Sequence, residues 1–185
     1  HFTTTPEPAD VFIIAVQTPY RETPEKKRVS DMRFVESAAK EVGSVLRAGN
    51  LCVLESTSPP YSTRMVEKIV SETSGLAPEQ FMTAHCPERI IPGRMLIELR
   101  ENDRIIGSNR PESAQFAKEI YEKVVTGGTI RLTDDLTAEM CKLTENTFRD
   151  INIAYANELS KVCDRLGIDV FQLIELANCH PRVNV

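Results

Sequence analysis

The sequence lacks the features that define several large classes of protein. Its longest uninterrupted apolar stretch is Val11–Val16, far shorter than the roughly 20 residues of a membrane-spanning helix. Its first residues lack the basic, apolar and small-residue succession of a signal peptide, so we expect none. Positive charge is not in surplus, because 22 Lys and Arg stand against 27 Asp and Glu. We therefore expect a cytoplasmic protein that neither enters a membrane nor binds nucleic acid.

Several ligand-binding motifs are also missing. The five cysteines are odd in number and include no C-x-x-C pair, which disfavours a disulfide framework or a zinc site and favours a reducing compartment. No G-x-G-x-x-G, P-loop or metal-ligand cluster occurs. The motifs therefore predict no metal, and by themselves they do not complete a dinucleotide site.

Short apolar runs recur along the first two thirds of the chain. They do not alternate with polar residues, which is typical of strands buried on both faces of a parallel sheet. Helical patterns separate them, so the sequence predicts βαβ units and an α/β, doubly wound sheet. The runs predicted as strands are Val11–Val16, Leu51–Leu54, Phe81–Ala84, Arg104–Gly107 and Thr129–Leu132.

Three helices are predicted between these strands. The first follows Ser30, a candidate N-cap, and ends before Gly49. The second follows Pro60, and the third begins at Pro111, because proline is welcome at a first helical position. Gly127 and its neighbouring glycine then return the chain to the sheet.

The pattern changes at residue 134. From Asp134 to Leu166 there is no Pro or Gly, and apolar residues step by three, four or five, which predicts one long helix. Gly167 is expected to end it, and Val170–Ala177 is expected to form a shorter helix. We therefore predict one domain over 1–133 and the start of another over 134–185.

One face of the long helix carries groups that could act on an anion. Lys142, Asn146 and Arg149 lie at positions i, i+4 and i+7, so they share a face. Together they could hold a phosphate, a carboxylate or a developing oxyanion. The alternative is a solvated face on which Glu145 pairs with Arg149. The spacing alone favours this alternative.

Polar segments also follow the predicted strands. Gln17–Pro19, Ser56–Pro60 and Cys86–Gly93 come at strand ends, where doubly wound sheets bind their ligands. The last segment holds Glu88 and Arg89 between prolines. Each segment could equally be an ordinary polar loop.

The end of the chain offers a weaker candidate. Cys179 and His180 are neighbours in sequence, and neighbours seldom point at one another as a nucleophile and its base must. We instead expect His180, Arg182 and Asn184 to alternate along an extended segment, where they could line one side of a ligand.

Taken together, these residues resemble the nucleotide-sugar 6-dehydrogenases, the UDP-glucose/UDP-hexosamine dehydrogenase family. The resemblance runs through essentially the whole chain, and its middle and last blocks look most like the branch that oxidises UDP-N-acetyl-D-mannosamine. The blocks are Phe12–Pro19, Leu54–Pro59, Cys86–Arg89, Ala138–Asp150 and His180–Asn184.

The resemblance implies a fold and a reaction. The fold would be the second half of a Rossmann-like doubly wound parallel sheet followed by a long-helix, all-α dimerisation domain, with a homodimer formed through the long helix. The reaction would be the NAD-dependent oxidation of the C6 alcohol of a UDP-sugar to a carboxylate. It passes through a thiohemiacetal and a thioester on a cysteine.

The resemblance also assigns roles by motif. Lys142 would be the acid/base and oxyanion-stabilising lysine, assisted by Asn146, and Glu88, beside the substrate-contacting positions, would be the third catalytic residue. The expected substrate contacts are Arg89, Ile90, Lys142, Asn146, Arg149 and His180, with Arg182 reaching the substrate across the dimer interface. Thr18 and Thr57 match positions that touch NAD.

Departures from the family pattern carry expectations of their own. Pro92 stands where the UDP-glucose branch has a second glutamate, which puts water activation by that group in doubt and favours an N-acetylhexosamine. The family's glycine-rich unit would precede His1. Its Gly-Gly-x-Cys nucleophile and UDP-binding domain would follow Val185. We therefore expect these residues alone to be inactive.

Other interpretations stay open at this point. The substrate could be UDP-N-acetylglucosamine or UDP-glucose. Dehydrogenases of 2-hydroxy acids or 6-phosphogluconate also join a nucleotide domain to a long helix, but they would not explain the Cys86–Arg89 and His180–Asn184 blocks together. A third possibility is a non-catalytic α/β dimerisation module.

Overall fold

A computed structural model describes residues 2–90 and 93–185. The described residues form a mixed α/β arrangement whose strands alternate with helices. The strands are β1 Val11–Ile14, β2 Tyr20–Glu22, β3 Arg28–Ser30, β4 Leu51–Leu54, β5 Met82–His85, β6 Arg104–Gly107 and β7 Ile130–Thr133. The helices are α1 Arg33–Val45, α2 Ser62–Ser74, α3 Met95–Glu101, α4 Pro111–Tyr121, α5 Asp135–Leu166 and α6 Val170–Ala177.

The central sheet is mostly parallel, in the order β1-β4-β5-β6-β7. β1, β4 and β5 run parallel to one another, as predicted. β6 pairs antiparallel to β5, through His85 and Gly107, and β7 then runs parallel to β6. The last two strands are therefore reversed, so the predicted parallel sheet is mostly parallel. The reversal places the start of β6 at the same edge as the carboxyl ends of β4 and β5.

Each face of the sheet carries its own apolar core, which confirms the doubly wound α/β class. Burial on both faces is why the sequences of the inner strands, such as β4, do not alternate. On one face α1 and α2 pack over a core of Ile14, Val35, Ala39, Val42, Leu46, Cys52, Leu54, Val66, Val70 and Phe81. On the other, α4 covers Leu51, Val53, Ala84, Cys86, Ile106, Ala114, Ala117 and Tyr121.

The segment before α1 differs from the prediction. β2 and β3 form an antiparallel hairpin that the sequence reading missed. Ser30 ends this hairpin and is not the N-cap of α1, because the helix begins at Arg33 and its first N–H donates to Asp31 Oδ1. The hairpin strands are short and polar, so they have no apolar periodicity from which they could be predicted.

The long helix begins against the sheet. A Cβ on Gly107 would lie 2.3 Å from the Asp134 carbonyl oxygen and 2.5 Å from Ala138 Cβ, so only glycine allows β6 and the first turn of α5 to approach so closely. Gly167 has φ of +66° and follows the helix end, as predicted.

By its contacts the chain divides into two compact units, 1–142 and 143–185. α5 contributes its first turns to the first unit and the rest to the second. A domain change at residue 134 stays a prediction. No described helix has the length and apolar character needed to span a bilayer.

Candidate functional site

Polar loops meet at the edge where β1 and β4 end. Thr18 Oγ1 donates a hydrogen bond of 2.7 Å to the Thr57 carbonyl oxygen. Ser56 Oγ accepts from the Val16 N–H at 2.8 Å and donates to the Val16 carbonyl at 2.7 Å. The two threonines predicted to touch NAD are therefore joined directly, and both are half-buried.

The loop after β5 is organised by its own glutamate. Glu88 Oε1 accepts the backbone N–H groups of Arg89 at 2.6 Å and Ile90 at 2.8 Å. Its second oxygen, Oε2, lies 3.6 Å from Arg104 Nη1. The backbone N–H of Glu88 donates to the Glu55 carbonyl at 3.3 Å, which ties the loop to the end of β4. Glu88 therefore acts here as a structural acceptor for the two residues expected to contact substrate.

Three consecutive residues before and at the start of β6 contact the same loop. Asn102 Nδ2 donates to the Arg89 carbonyl at 3.3 Å, and Arg89 Nη1 donates to the Asp103 carbonyl at 2.9 Å. Arg89, Asn102 and Asp103 line a polar cavity of about 300 Å³. Ile91 and Pro92 lie outside the described residues. The expectation that Pro92 favours an N-acetylhexosamine substrate therefore lies outside them as well.

Two buried carboxylates near the start of α5 fix the helix that carries Lys142. Glu139 accepts the N–H groups of Tyr61 and Thr63 and the Thr63 hydroxyl, each at 2.7 Å. Asp135 accepts from Arg64 Nε at 2.7 Å and Nη2 at 3.1 Å. Lys142 follows Glu139 by three residues, so this anchor sets the position of its backbone.

The remaining predicted site residues belong to the second unit. Asn146 Oδ1 accepts from Arg149 Nη2 at 3.4 Å. His180 Nδ1 accepts from the Arg182 N–H at 3.3 Å, and both side chains are exposed. The Val183 N–H donates to the His180 carbonyl at 2.9 Å, so this segment is a turn and the expected extended alternation is wrong. The roles of these residues stay predictions.

The cysteines are free thiols. Burial raises the pKa of Cys52 and of Cys86 to about 12, which keeps both protonated and unsuited to nucleophilic attack. Cys179 is exposed, and its thiol donates to the Glu175 carbonyl of α6 at 3.5 Å. Among the residues described, no cluster of three or more His, Cys, Asp or Glu side chains could hold a metal ion.

His85, at the end of β5, is fully buried. Neither ring nitrogen has a hydrogen-bond partner among the described residues. Burial lowers the pKa of His85 to about 4, although the Leu54 backbone and the Asp135 carboxylate act in the opposite direction. The Leu54 backbone lies close enough to His85 to stabilise the protonated imidazole. It does not form a hydrogen bond with either ring nitrogen. The imidazole is therefore neutral at physiological pH.

Sequence reasoning missed a buried polar cluster beside the loop. Tyr121 donates to Glu55 Oε1 at 2.5 Å, and the Arg104 guanidinium carbon lies 5.6 Å from the centre of the Tyr121 ring. Burial raises the pKa of Glu55 and of Tyr121. Arg104 lies within an apolar strand and Tyr121 at a helix end, so neither stands out by spacing. The one sequence signal for this cluster is Arg104 itself, because an arginine is seldom found within a buried apolar strand.

With this geometry in place, sequence comparison defines the family. Residues 1–125 match the profile of the UDP-glucose/GDP-mannose dehydrogenase family, NAD binding domain. Residues 136–185 match the central domain of the same family. The chain belongs to the UDP-glucose/GDP-mannose dehydrogenase family.

Relatives that match nearly the whole chain carry the names of nucleotide-sugar dehydrogenases. An NDP-N-acetyl-D-galactosaminuronic acid dehydrogenase of Ralstonia solanacearum is 52% identical over 99% of this chain and 44% of its own length. A UDP-N-acetyl-D-mannosamine dehydrogenase of Methanocaldococcus jannaschii is 50% identical over 98% of this chain and 41% of its own. The solved UDP-D-ManNAc dehydrogenase of Pyrococcus horikoshii superposes with a TM-score of 0.88 at 42% identity, covering 97% of this chain and 42% of that one. The chain thus spans less than half the length of these relatives.

The residues at the sheet edge fit the NAD that the family profile implies. Dinucleotides bind beyond the carboxyl ends of the strands in open α/β sheets. The hydrogen bond between Thr18 and Thr57 brings the loops after β1 and β4 together at such an edge. That Thr18 and Thr57 would hold the cofactor there stays a prediction.

Replacing His85 should flatten the acid dependence of stability. Above the ordinary pKa of about 6.5 the ring is neutral whether folded or unfolded. As pH falls from about 6.5 towards 4, His85 binds a proton in the unfolded chain but stays neutral in the folded chain. The free energy of unfolding therefore decreases over this range. In urea unfolding at several pH values, His85→Phe should reduce this slope by up to about 1.4 kcal/mol per pH unit. His180→Phe, at an exposed histidine, is the control. An unchanged slope in His85→Phe would mean that folding does not lower the pKa of His85.

Proposed function

We propose that this chain supplies the NAD-binding and central part of an NAD-dependent UDP-N-acetyl-D-mannosamine 6-dehydrogenase. The observation that carries the proposal is the 50% identity to a relative of that name over 98% of the chain. The product would be a UDP-N-acetyl-D-mannosaminuronate, a precursor for cell-surface polysaccharide. We further propose that the enzyme works in the cytoplasm, as its cysteine usage suggests, and cell fractionation would check this.

The reaction converts a primary alcohol to a carboxylate. The C6 carbon loses two hydrides in turn and gains one oxygen from water, so each sugar consumes two NAD and one water and releases three protons. When bound, NAD supplies the hydride acceptor for each oxidation. The residues of this chain have to orient the sugar, stabilise charge at its oxygen and move the protons.

Lys142 and Asn146 are proposed to act on the reacting oxygen. An ammonium group lowers the energy of an alkoxide as it forms, and an amide N–H adds a neutral donor. Lys142 is half-buried, which strengthens its effect relative to a lysine in open solvent. The anchor of α5 through Glu139 supports this role, since a catalytic group needs a rigid base.

Arg89, Ile90, Arg149 and His180 are proposed to bind the sugar nucleotide. The loop geometry supports the first two of these contacts, because Glu88 holds their backbone N–H groups in one orientation. Glu88 itself has both carboxylate oxygens occupied by loop and arginine contacts. We therefore propose that its part in catalysis is indirect.

A panel of sugar nucleotides tests the substrate. The full-length protein containing this chain should reduce NAD fastest with UDP-N-acetyl-D-mannosamine, releasing two NADH per sugar. The second candidate is the N-acetylgalactosamine epimer, favoured by the 52% identity to the Ralstonia solanacearum relative. UDP-N-acetylglucosamine and UDP-glucose complete the panel. NADH formation with none of the four would contradict a dehydrogenase of this kind and favour the non-catalytic module.

Removing the Lys142 ammonium should slow the chemistry and leave the fold intact. Lys142→Ala should lower kcat about 10²- to 10⁴-fold, the range for loss of a general acid or base. Lys161→Ala, at an exposed lysine of the same helix, is the matched control and should retain normal turnover. Steady-state kinetics and circular dichroism of both variants provide the measurement. Near-normal kcat in Lys142→Ala would remove Lys142 from the mechanism.

We also propose that the protein forms a homodimer through α5. An apolar stripe on the second unit supports this proposal, with Phe148, Ile151, Tyr155, Val162 and Leu166 each about half or more exposed. They are spaced by three, four or seven residues and therefore share one face. Arg182 is proposed to reach the substrate of the partner subunit.

Charging the stripe should separate the subunits. Phe148→Glu combined with Ile151→Glu should convert the full-length dimer to a monomer in analytical ultracentrifugation, because two carboxylates would have to be buried. The monomer should also bind sugar nucleotide poorly if Arg182 acts across the interface. Lys161→Glu adds a charge to the same helix outside the stripe and should remain dimeric. A dimer that survives the double substitution would show that the stripe is not the interface.

A further inference from the structure

Arg104 is the most deeply buried cation among the described residues. Its side chain is 2% exposed, although it opens β6 at the edge of the sheet where the substrate loop lies. Within the described part of the chain, its Nε and Nη1 atoms have no hydrogen-bond partner. A buried guanidinium is costly unless it is compensated. We therefore expect the buried Arg104 guanidinium to have a role other than packing.

The groups around Arg104 show what compensates its charge. Glu88 Oε2 lies 3.6 Å from Nη1, which is an ion-pair distance but too long for a hydrogen bond. Tyr121 presents the face of its ring to Arg104 and donates its hydroxyl to Glu55. The Glu55 and Glu88 carboxylates both stabilise the Arg104 charge, and Glu88 is the one within ion-pair distance of it.

The contact extends from Arg104 to the substrate loop. The same Glu88 carboxylate that faces Arg104 accepts the N–H groups of Arg89 and Ile90 through its other oxygen. Asn102 and Asp103 hold Arg89 from the same segment. Residues 102–104 therefore form a clamp on residues 88–90. Among the described residues of this clamp, only Arg104 makes a charged contact with the Glu88 carboxylate.

We propose that Arg104 is a positioning residue for sugar-nucleotide binding. Its buried charge fixes the Glu88 carboxylate, and this carboxylate in turn fixes the backbone of Arg89 and Ile90 that the substrate meets. The inference rests on the proposed function for the identity of the substrate. The loop order that it describes exists without substrate and is measured separately.

The first test measures the loop itself by hydrogen exchange in the full-length protein without ligand. Arg104→Met keeps the volume and removes the charge, so a peptide covering residues 86–90 should exchange faster. Glu88→Gln should have the same effect, because a neutral amide cannot form the ion pair with Arg104. The double variant should add nothing further, since both substitutions break one contact. Arg131→Met, at an exposed arginine on the neighbouring strand β7, is the control.

The second test measures binding. Arg104→Met should raise KM for the sugar nucleotide about tenfold or more and leave KM for NAD nearly unchanged, because the loss of the partly buried ion pair with Glu88 loosens only this loop. Arg104→Lys should restore part of the affinity. If Arg104→Met does not fold, Glu88→Gln alone carries both tests.

Exchange at residues 86–90 that is unchanged, or that rises equally across the whole sheet, would overturn the positioning role. So would equal increases of KM for both substrates. If the wild-type protein oxidises no sugar nucleotide, the proposed function fails, while the exchange experiment still decides whether Arg104 orders the loop.

Discussion

The first unit depends on one buried carboxylate. Glu139 is fully buried and accepts hydrogen bonds from two N–H groups and a hydroxyl at the start of α2. α2 has no side-chain cap of its own, and Tyr61 before it is held at φ of +72°. The carboxylate therefore satisfies amides that would otherwise be buried without partners, and the positive end of the helix stabilises its charge. One contact thus fixes α2 over the sheet and the first turns of α5 beside it.

The reversal of β6 gives the sheet edge a second function. In a wholly parallel sheet, the residue that opens a strand lies at the edge opposite the ligand. Because β6 runs against β5, its first residue, Arg104, lies beside the loop that follows β5. The same reversal places the chain before β6 against Arg89. The loop is held from two sides, by the end of β4 and by the start of β6.

Composition and spacing predicted the elements better than their arrangement. Leu51–Leu54, Arg104–Gly107 and Val170–Ala177 occur with the predicted bounds, because apolar runs and helical periodicity are local properties. β6 could pair with the free edge of β5 in either direction, and no property of its own residues encodes the antiparallel one. The β2–β3 hairpin has too little apolar pattern to be detected.

The candidate site divides in the same way. Motif resemblance selected Thr18 and Thr57, and the structure joins them by a hydrogen bond. Glu139 and Arg104 escaped notice because each looks ordinary in its own segment. Glu139 reaches partners 76 and 78 positions earlier in the chain, and no local window contains both members of such a pair.

That separation bears on how the chain folds. A helix such as α5 forms from local contacts within microseconds, whereas its attachment requires closing a loop of more than 70 residues. Docking through Glu139 has to wait until β4 and α2 are assembled, because Tyr61 and Thr63 offer their N–H groups only when α2 has begun. The long helix is therefore expected to exist early as secondary structure and to acquire its position late. A newly made chain would pass through an interval in which Lys142 is helical but not yet placed.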